Sequence, residues 1–254
     1  MPAILALIPA RGGSKGIPRK NALKIAGRPL VGYSIEHALC SSLITRTIVS
    51  TDDPEIADIA RQCGAEVPFT RPAEFSGDLA TDLQVFVHAL EYLREKESYL
   101  PELVVHLRPT DPIREVAVLD RAIGKLLAHP EADSLKAVTP AVLTPYKMWR
   151  IEGERLVPFA ELAGLPEAHS MPRQLLPPVF QGSGYVDIVR PRTILEQHSM
   201  CGRHVLPFVI ENHAYDLDYP EQLWEVEQAL LRQRALGGCH AATANDSGDL
   251  ESTG

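Results

Sequence analysis

Short apolar runs alternate with longer amphipathic stretches along most of this chain, and this alternation constrains the fold more than any other feature. Apolar runs separated by helical patterns are typical of βα units. Because parallel strands need a crossover between them, the pattern predicts an α/β fold: a Rossmann-like, mainly parallel sheet flanked by helices. The runs predict strands at 3–8, 46–50, 102–107, 134–139, 184–189 and 204–210. The amphipathic stretches predict helices at 29–40, 54–63, 81–97, 115–129, 191–196 and 220–236.

The alternation stops between residues 140 and 180, a stretch that contains seven prolines. We predict one α/β domain made of residues 1–139 and 181–236, with 140–180 as an insertion that packs against a second subunit in a homodimer. Residues 237–254 are mostly small and polar, and this composition predicts a disordered tail.

The segment IPARGGSKGIPRKN at 8–21 follows the first predicted strand, at the sheet edge where α/β proteins bind ligands. Its glycines let backbone N–H groups turn onto a phosphate, and four cations fall within ten residues. The segment lacks the GKS or GKT ending of a P-loop and the spacing of GxGxxG. A glycine-rich surface turn with solvated charges is the alternative. The candidate phosphate-binding residues are Arg11, Gly12, Gly13, Ser14, Lys15, Lys20 and Asn21.

Composition excludes several other classes. A net charge of −8 and a pI near 5.6 argue against a nucleic-acid surface, which needs clustered Lys and Arg. No stretch approaches the ~20 apolar residues of a membrane span, and the opening residues lack the basic region of a signal peptide. The four cysteines are scattered without a CxxC pair, which argues against disulfides and zinc sites. We therefore expect a cytoplasmic protein without membrane contact.

The 8–21 segment resembles the N-terminal signature of the CMP-sialic acid synthetases (acylneuraminate cytidylyltransferases), which have a nucleotide-sugar transferase fold. The resemblance implies that Arg11, Lys20 and Asn21 hold CTP. RPAEFSGDLATD at 71–82 resembles a nucleotide-binding segment of that family, which assigns Arg71, Ala80 and Asp82 to the nucleotide. A loop that caps the helix at 81–97 is the alternative for Asp82. IVSTDD at 48–53 resembles the second strand of the family and its acidic exit, but we interpret Asp53 as the N-cap of the helix that begins at Pro54.

LRPTDPIR at 107–114 resembles LQPTSPLR of the family, which borders the sugar site. Arg108 stands where the family has Gln, so it could fork onto a carboxylate of the sugar or pair with Asp111. The insertion resembles the family's dimerisation segment, and Lys147 and Arg173 match cations that reach an active site there. SGYVDIVR at 183–190 resembles a strand that lines the sugar pocket, which adds Asp187 to the sugar-binding candidates.

YDLDYPEQLWEVE at 215–227 resembles an acidic motif of the family. Asp216 and Asp218 alternate, so both carboxylates point the same way in an extended segment, and the pair suits Mg²⁺. The alternative for Asp218 is a capping box with Glu221. Together with Arg11 and Lys20, these two aspartates are the predicted catalytic residues.

The matches run from residue 4 to about 230. They imply a nucleotidyltransferase that transfers CMP from CTP to the anomeric hydroxyl of an acidic nine-carbon sugar, with Mg²⁺ as cofactor and pyrophosphate as product. Alternatives are CMP activation of legionaminic, pseudaminic or 3-deoxy-octulosonic acid, and a catalytically silent nucleotide-binding protein on the same fold.

Overall fold

The structure is a computed structural model that describes residues 2–210 and 215–235, and these residues form ten strands and six α-helices. The strands are β1 Ile4–Pro9, β2 Lys24–Ile25, β3 Arg28–Pro29, β4 Arg46–Ser50, β5 Leu103–His106, β6 Ser134–Pro140, β7 Trp149–Glu152, β8 Arg155–Pro158, β9 Phe180–Val189 and β10 Val205–Val209. The helices are α1 Leu30–Cys40, α2 Pro54–Gln62, α3 Asp82–Glu97, α4 Val116–Leu127, α5 Pro191–Leu195 and α6 Leu223–Ala235. All six predicted strands and all six predicted helices are present, with ends that differ by a few residues.

Six strands form the central sheet in the order β10-β6-β9-β5-β1-β4. β1 is parallel to β4 and β5, and β10 is parallel to β6. β9 runs antiparallel to both of its neighbours, β5 and β6. It follows the 140–180 stretch, so no helical crossover returns the chain to the starting end of the sheet. The predicted mainly parallel sheet flanked by helices is confirmed, with β9 as its one reversed strand.

Helices cover both faces of the sheet. Along β1, Ile4 and Ile8 pack with α1, α2 and α4, whereas Leu5 and Leu7 pack with α3 and α5. All four side chains are fully buried. This two-sided burial explains why the strands appear in the sequence as continuous apolar runs.

A smaller apolar cluster lies outside the sheet and fixes the C-terminal part of the chain. Val226 and Leu230 of α6 pack with Ile25 of the β2–β3 hairpin, which the sequence analysis did not predict. Leu217 joins the same cluster and is fully buried. The extended segment before α6 is thereby held against the loop that follows β1.

The start of α6 differs from the prediction. Pro220–Gln222 forms a 3₁₀ turn whose N-cap is Tyr219. The backbone N–H groups of Asp218 and Tyr219 both donate to Oε1 of Gln222, at 2.7 and 2.8 Å. The predicted capping box of Asp218 with Glu221 is therefore wrong, and the Asp218 carboxylate is available for another partner. The predicted tail at 237–254 lies outside the described residues.

The 140–180 stretch contains a second hairpin, β7–β8, and three 3₁₀ turns. Its large apolar side chains are unusually open to solvent, and Ile151 and Val142 are 77% and 71% exposed. The exposed set comprises Val142, Leu143, Met148, Trp149, Ile151, Leu156, Phe159, Leu175 and Phe180. We call these nine residues the insertion patch; as a group they form the kind of exposed apolar surface that a partner usually covers.

Two further expectations concern the cysteines and the membrane. Cys40 is disulfide-bonded, so the expectation of no disulfide is wrong, whereas Cys63 and Cys201 are free thiols.

Among the described residues, no helix combines the length and the apolar character that a membrane span requires.

Candidate active site

A cleft of about 310 Å³ opens at the carboxyl ends of β1 and β5. Three segments line it: the loop after β1, the 71–82 segment before α3, and the residues at the end of β5. Nine of the predicted site residues line this cleft, namely Arg11, Gly13, Ser14, Lys20, Asn21, Arg71, Ala80, Asp82 and Arg108. Segments that are distant in sequence therefore meet at the sheet edge where α/β folds bind ligands.

The loop after β1 is braced from both sides. The backbone N–H of Gly12 donates to Oδ1 of Asp52 at 2.9 Å, and Nδ2 of Asn21 donates to the carbonyl of Arg11 at 2.9 Å. A Cβ on Gly12 would lie 2.7 Å from Oδ2 of Asp53, so only glycine fits there. Asp53 also accepts from the N–H of Ile56 at 3.1 Å and caps α2, which confirms the capping interpretation of Asp53.

The exposed cations of the loop face an acidic residue across the cleft. Nη1 of Arg11 donates to the carbonyl of Gly77 at 2.8 Å and lies 3.4 Å from Oδ1 of Asp78. Nζ of Lys15 lies 2.8 Å from Oδ2 of Asp78, and this contact lowers the pKa of that carboxyl. Exposed ion pairs of this kind contribute little to stability, so an anionic ligand could displace Asp78.

Lys20 joins the loop to the segment before α6. Its Nζ donates to the carbonyl of Leu217 at 2.7 Å and to Oδ1 of Asp218 at 2.9 Å, and Lys20 is only 8% exposed. The backbones approach closely beside it, because a Cβ on Gly16 would lie 2.0 Å from the carbonyl oxygen of Asp218. Two of the predicted catalytic residues, Lys20 and Asp218, are therefore direct partners.

Asp216 lies next to this pair in a crowded acidic environment. Partial burial raises the pKa of its carboxyl, a hydrogen bond from Thr110 opposes that shift, and the charges of Asp218 and Asp111 add to it. Within 2–210 and 215–235, no group of three or more His, Cys, Asp or Glu is arranged to hold a metal. Asp216 and Asp218 could therefore hold a cation only with further oxygen ligands from a bound molecule.

Arg71 is held inside the protein. Its Nε donates to Oγ of Ser50 at 3.1 Å, and Nη2 donates to the carbonyl of Ser50. Burial lowers the pKa of Arg71 to about 10. Arg71 lines the cleft as predicted, and it also supports the end of β4.

Arg108 forms its ion pairs, among the described residues, with Asp187 and Asp82 rather than with Asp111. Nη1 lies 2.8 Å from Oδ2 of Asp187, and Nη2 lies 3.3 Å from Oδ2 of Asp82. Capping of α3 is provided by Thr81, whose Oγ1 accepts from the N–H of Gln84 at 3.3 Å. The Asp82 carboxylate is therefore a partner of Arg108 and not the cap of the helix.

The cations of the insertion do not line the cleft of the single chain. Lys147 is exposed at the end of a 3₁₀ turn, and Arg173 is exposed and donates through Nη2 to the carbonyl of Val142. Their predicted contact with an active site would require a second subunit.

Sequence reasoning missed His106, a fully buried residue at the end of β5 that lines the cleft. Neither of its ring nitrogens has a hydrogen-bond partner, and Nδ1 lies 3.9 Å from Oδ2 of Asp82. Burial, followed by the nearby charges of Arg108, Arg114 and Lys136, lowers its pKa well below the usual value, so the ring is neutral. The sequence contains no signal for it, because one His in an apolar run resembles a core residue.

Asp78 and Thr110 were also missed, although both belong to segments that the sequence analysis singled out. Asp78 meets the loop cations and Thr110 meets Asp216. Their positions within RPAEFSGDLATD and LRPTDPIR are the signal that could have identified them.

The sequence of this chain is similar to those of several known proteins. Residues 5–149, more than half of the chain, match the cytidylyltransferase family. The CMP-N,N'-diacetyllegionaminic acid synthase of Legionella pneumophila is 32% identical over 240 residues, which cover 92% of this chain and 99% of the relative. The pseudaminic acid cytidylyltransferase of Campylobacter jejuni is 40% identical over 125 residues, covering 49% of this chain and 53% of the relative.

A similar solved structure is a CMP:2-keto-3-deoxy-manno-octonic acid synthetase in complex with CTP. It superimposes with a TM-score of 0.68 at 17% identity, covering 91% of this chain and 99% of that chain. At this identity the likeness supports the fold.

Gly16→Ala tests the close approach of the loop to the segment before α6. The new Cβ would lie 2.0 Å from the carbonyl oxygen of Asp218, so the two backbones must separate and the Lys20 contacts weaken. We expect the free energy of unfolding in urea to fall by about 1–3 kcal/mol.

Gly13→Ala is the matched control, because its Cβ would meet nothing within 4 Å. We expect a change within about 0.5 kcal/mol for it. Equal effects of the two substitutions would contradict the close approach at Gly16.

Proposed function

This chain belongs to the cytidylyltransferase family, and from that membership we propose that it transfers CMP from CTP to the anomeric hydroxyl of a nonulosonic acid, releasing pyrophosphate. The observation that supports the proposal most strongly is the contact of Lys20 with Asp218 at the cleft. It joins the cationic loop after β1 to the acidic segment before α6, so the elements needed for a triphosphate and for a cation lie side by side. We propose the cytoplasm as the compartment, because CTP is available there.

Charge neutralisation is the main chemical task. The triphosphate of CTP is strongly anionic and repels an oxygen nucleophile, so catalysis depends on positioning and electrostatics. Arg11, Lys20 and the backbone N–H of Gly13 are suited to hold the phosphates. The anomeric hydroxyl oxygen bonds to the α-phosphorus while the bond from that phosphorus to the bridging oxygen breaks, and pyrophosphate leaves. The hydroxyl proton passes to a nearby carboxylate or to water.

The two aspartates beside Lys20 fit a magnesium ion. Asp216 and Asp218 provide hard oxygen ligands, and Mg²⁺ typically takes only one or two protein carboxylates and completes its coordination with phosphates and water. Burial raises the pKa of Asp216 and the charges of Asp218 and Asp111 add to the shift, so a cation bound here would favour the ionised carboxylate. When bound, the ion would neutralise phosphate charge as it develops on the leaving group.

Two observations support a choice of acceptor sugar: the names of the relatives and the presence of Arg108. The relatives described above are named for legionaminic and pseudaminic acids. In LRPTDPIR, Arg108 stands where the similar motif of the CMP-sialic acid synthetases has Gln. This difference is consistent with an acceptor other than N-acetylneuraminate. We therefore propose an acceptor of the legionaminate type.

A pyrophosphate-release assay tests this function. With CTP and Mg²⁺, we expect turnover of N,N'-diacetyllegionaminate, pseudaminate, N-acetylneuraminate or 3-deoxy-octulosonate, with the legionaminate-type sugar best. With that acceptor fixed, CTP should be used far better than UTP, ATP or GTP. Equal turnover of UTP would contradict cytidylyl transfer, and no release with any sugar would indicate a silent nucleotide-binding protein.

Asp216→Asn and Asp218→Asn test the metal site. Each substitution removes the charge that would hold Mg²⁺, so we expect turnover to fall by about 100-fold or more, although shape and most hydrogen bonding are kept. The matched control is Glu221→Gln, an exposed position on the 3₁₀ turn, which should keep activity.

Stability measurements separate loss of function from loss of fold. The raised pKa of Asp216 means that the folded protein binds its proton more tightly than the unfolded chain does. Ionisation of Asp216 therefore costs stability as the pH rises above the usual range of an aspartate. Asp216→Asn should be at least as stable as the wild type at pH ~7, and the advantage should vanish near pH ~3. Near wild-type turnover by both stable Asn variants would exclude the metal site.

We also propose that the insertion patch forms a homodimer interface. Its exposed side chains are apolar, and a self-complementary patch favours a two-fold dimer. Sedimentation at micromolar concentration should give twice the 27.9 kDa mass of the chain. Ile151→Asp, on the 77% exposed side chain, should shift the protein to monomer, whereas exposed Lys96→Glu on α3 should not. A fully active wild-type monomer would refute the interface.

A further inference from the structure

A row of polar side chains crosses the central sheet beside the cleft. Lys136 on β6 is paired in register with Asp187 on β9, and Asp187 is paired with His106 on β5. Residues paired across strands project to the same face, so these three side chains form one line. Their sequence neighbours Leu135 and Ile188 are buried and apolar. Burying a polar side chain in such a sheet costs free energy unless the side chain is hydrogen-bonded, ion-paired or in contact with a ligand. This row of polar side chains therefore requires an explanation.

Asp187 lies between two cations. Its Oδ2 is 2.8 Å from Nη1 of Arg108 and 3.2 Å from Nζ of Lys136, which also lies 3.3 Å from Oδ1. The carboxylate side chain is 11% exposed, whereas the Arg108 and Lys136 side chains are 27% and 37% exposed. Both cations therefore keep a side open to solvent. The negative charge of Asp82 offsets the positive charge of Arg108 only. The Asp82 side chain is 47% exposed, so water screens its charge.

A glycine leaves room for the Lys136 side chain. The register between β6 and β9 shifts after Lys136, and this irregularity brings Gly182 beside the lysine stem. A Cβ on Gly182 would lie 3.2 Å from Cε of Lys136, closer than ordinary packing allows. The position of the ammonium group therefore depends on Gly182 as well as on Asp187.

Distance across the sheet indicates which part of a ligand could reach Lys136. Strands β1, β5, β9 and β6 are successive neighbours, and neighbouring strands lie ~4.8 Å apart, so β6 is about 14 Å from the strand that leads into the phosphate loop. The anomeric carbon of the acceptor must react at that loop. The carboxylate is bonded to the same carbon, so only the exocyclic side chain of a long sugar extends as far as β6.

We propose that Lys136 is an acceptor-binding residue that donates hydrogen bonds to oxygen atoms of the exocyclic side chain of the sugar and its substituents. This inference rests on the proposed function and extends its sugar site from Arg108 on β5 to β6. Asp187 is a positioning residue in this arrangement, because it holds both cations in place. The ligand chemistry is that of hydroxyl or amide carbonyl oxygens at the end of the acceptor remote from the reaction.

The test uses the wild-type protein and Lys136→Met with CTP, Mg²⁺ and the acceptor that gives the highest wild-type release of pyrophosphate. Loss of a charged hydrogen-bond donor should raise KM for the sugar on the order of tenfold and leave KM for CTP unchanged. The nonulosonic acids differ mainly in their substituents, so the ratio of kcat/KM between the best and the poorest acceptor should become smaller in Lys136→Met. Lys136→Arg should recover part of the loss, and Lys96→Met, on an exposed lysine of α3, should change neither KM.

Gly182→Ala provides a second, independent variant in case Lys136→Met fails to fold. Its Cβ would shift the Lys136 stem by a few tenths of an ångström and leave the ammonium charge intact, so it should raise KM for the sugar by less than Lys136→Met does. An unchanged KM for the sugar in a folded variant, or an equal rise in KM for both substrates, would overturn the assignment of Lys136. No release by the wild-type protein with any acceptor would instead refute the proposed function itself.

Discussion

The contact of Lys20 with the segment before α6 organises this protein. A lysine near the start of the chain donates to the Leu217 carbonyl and the Asp218 carboxylate, about 200 residues later, and is almost entirely buried there. A buried ammonium group is stable only when it is paired and hydrogen-bonded, and these two acceptors satisfy that requirement. Gly16 permits the close backbone approach, and the packing of Leu217 with α6 holds the acidic segment in place. The loop after β1 and the segment that contains Asp216 and Asp218 therefore form one unit.

The arrangement of charge reconciles an acidic protein with an anionic substrate. The net charge is −8, yet the loop after β1 concentrates its cations at the cleft. In the described structure Asp78 pairs with Arg11 and Lys15, and Asp218 pairs with Lys20. An anionic ligand could replace Asp78 as the partner of Arg11 and Lys15, and this exchange costs little because Asp78 is exposed.

The side of the cleft formed by Arg108 is built differently. Arg108 is fixed between Asp187 and Asp82, and a rigid guanidinium presents its remaining donors in a defined direction. His106 lies beneath as a neutral ring with unpartnered nitrogens. The place of β9 in the strand order makes this possible, because it puts Asp187 between β5 and β6.

The sequence by itself determined the α/β class, the strands and helices of the sheet and the position of the glycine-rich loop after β1. These features follow from local periodicity and from glycine and charge placement, which act over a few residues. It also identified nine residues that line the cleft. Tertiary structure alone decided their partners: Lys20 with Asp218, Arg108 with Asp187 and Asp82, and the Lys136–Asp187–His106 row. Pairings of this kind depend on strand order, register and the antiparallel direction of β9, which bring together residues that are remote in the chain and whose local sequence carries no record of that contact.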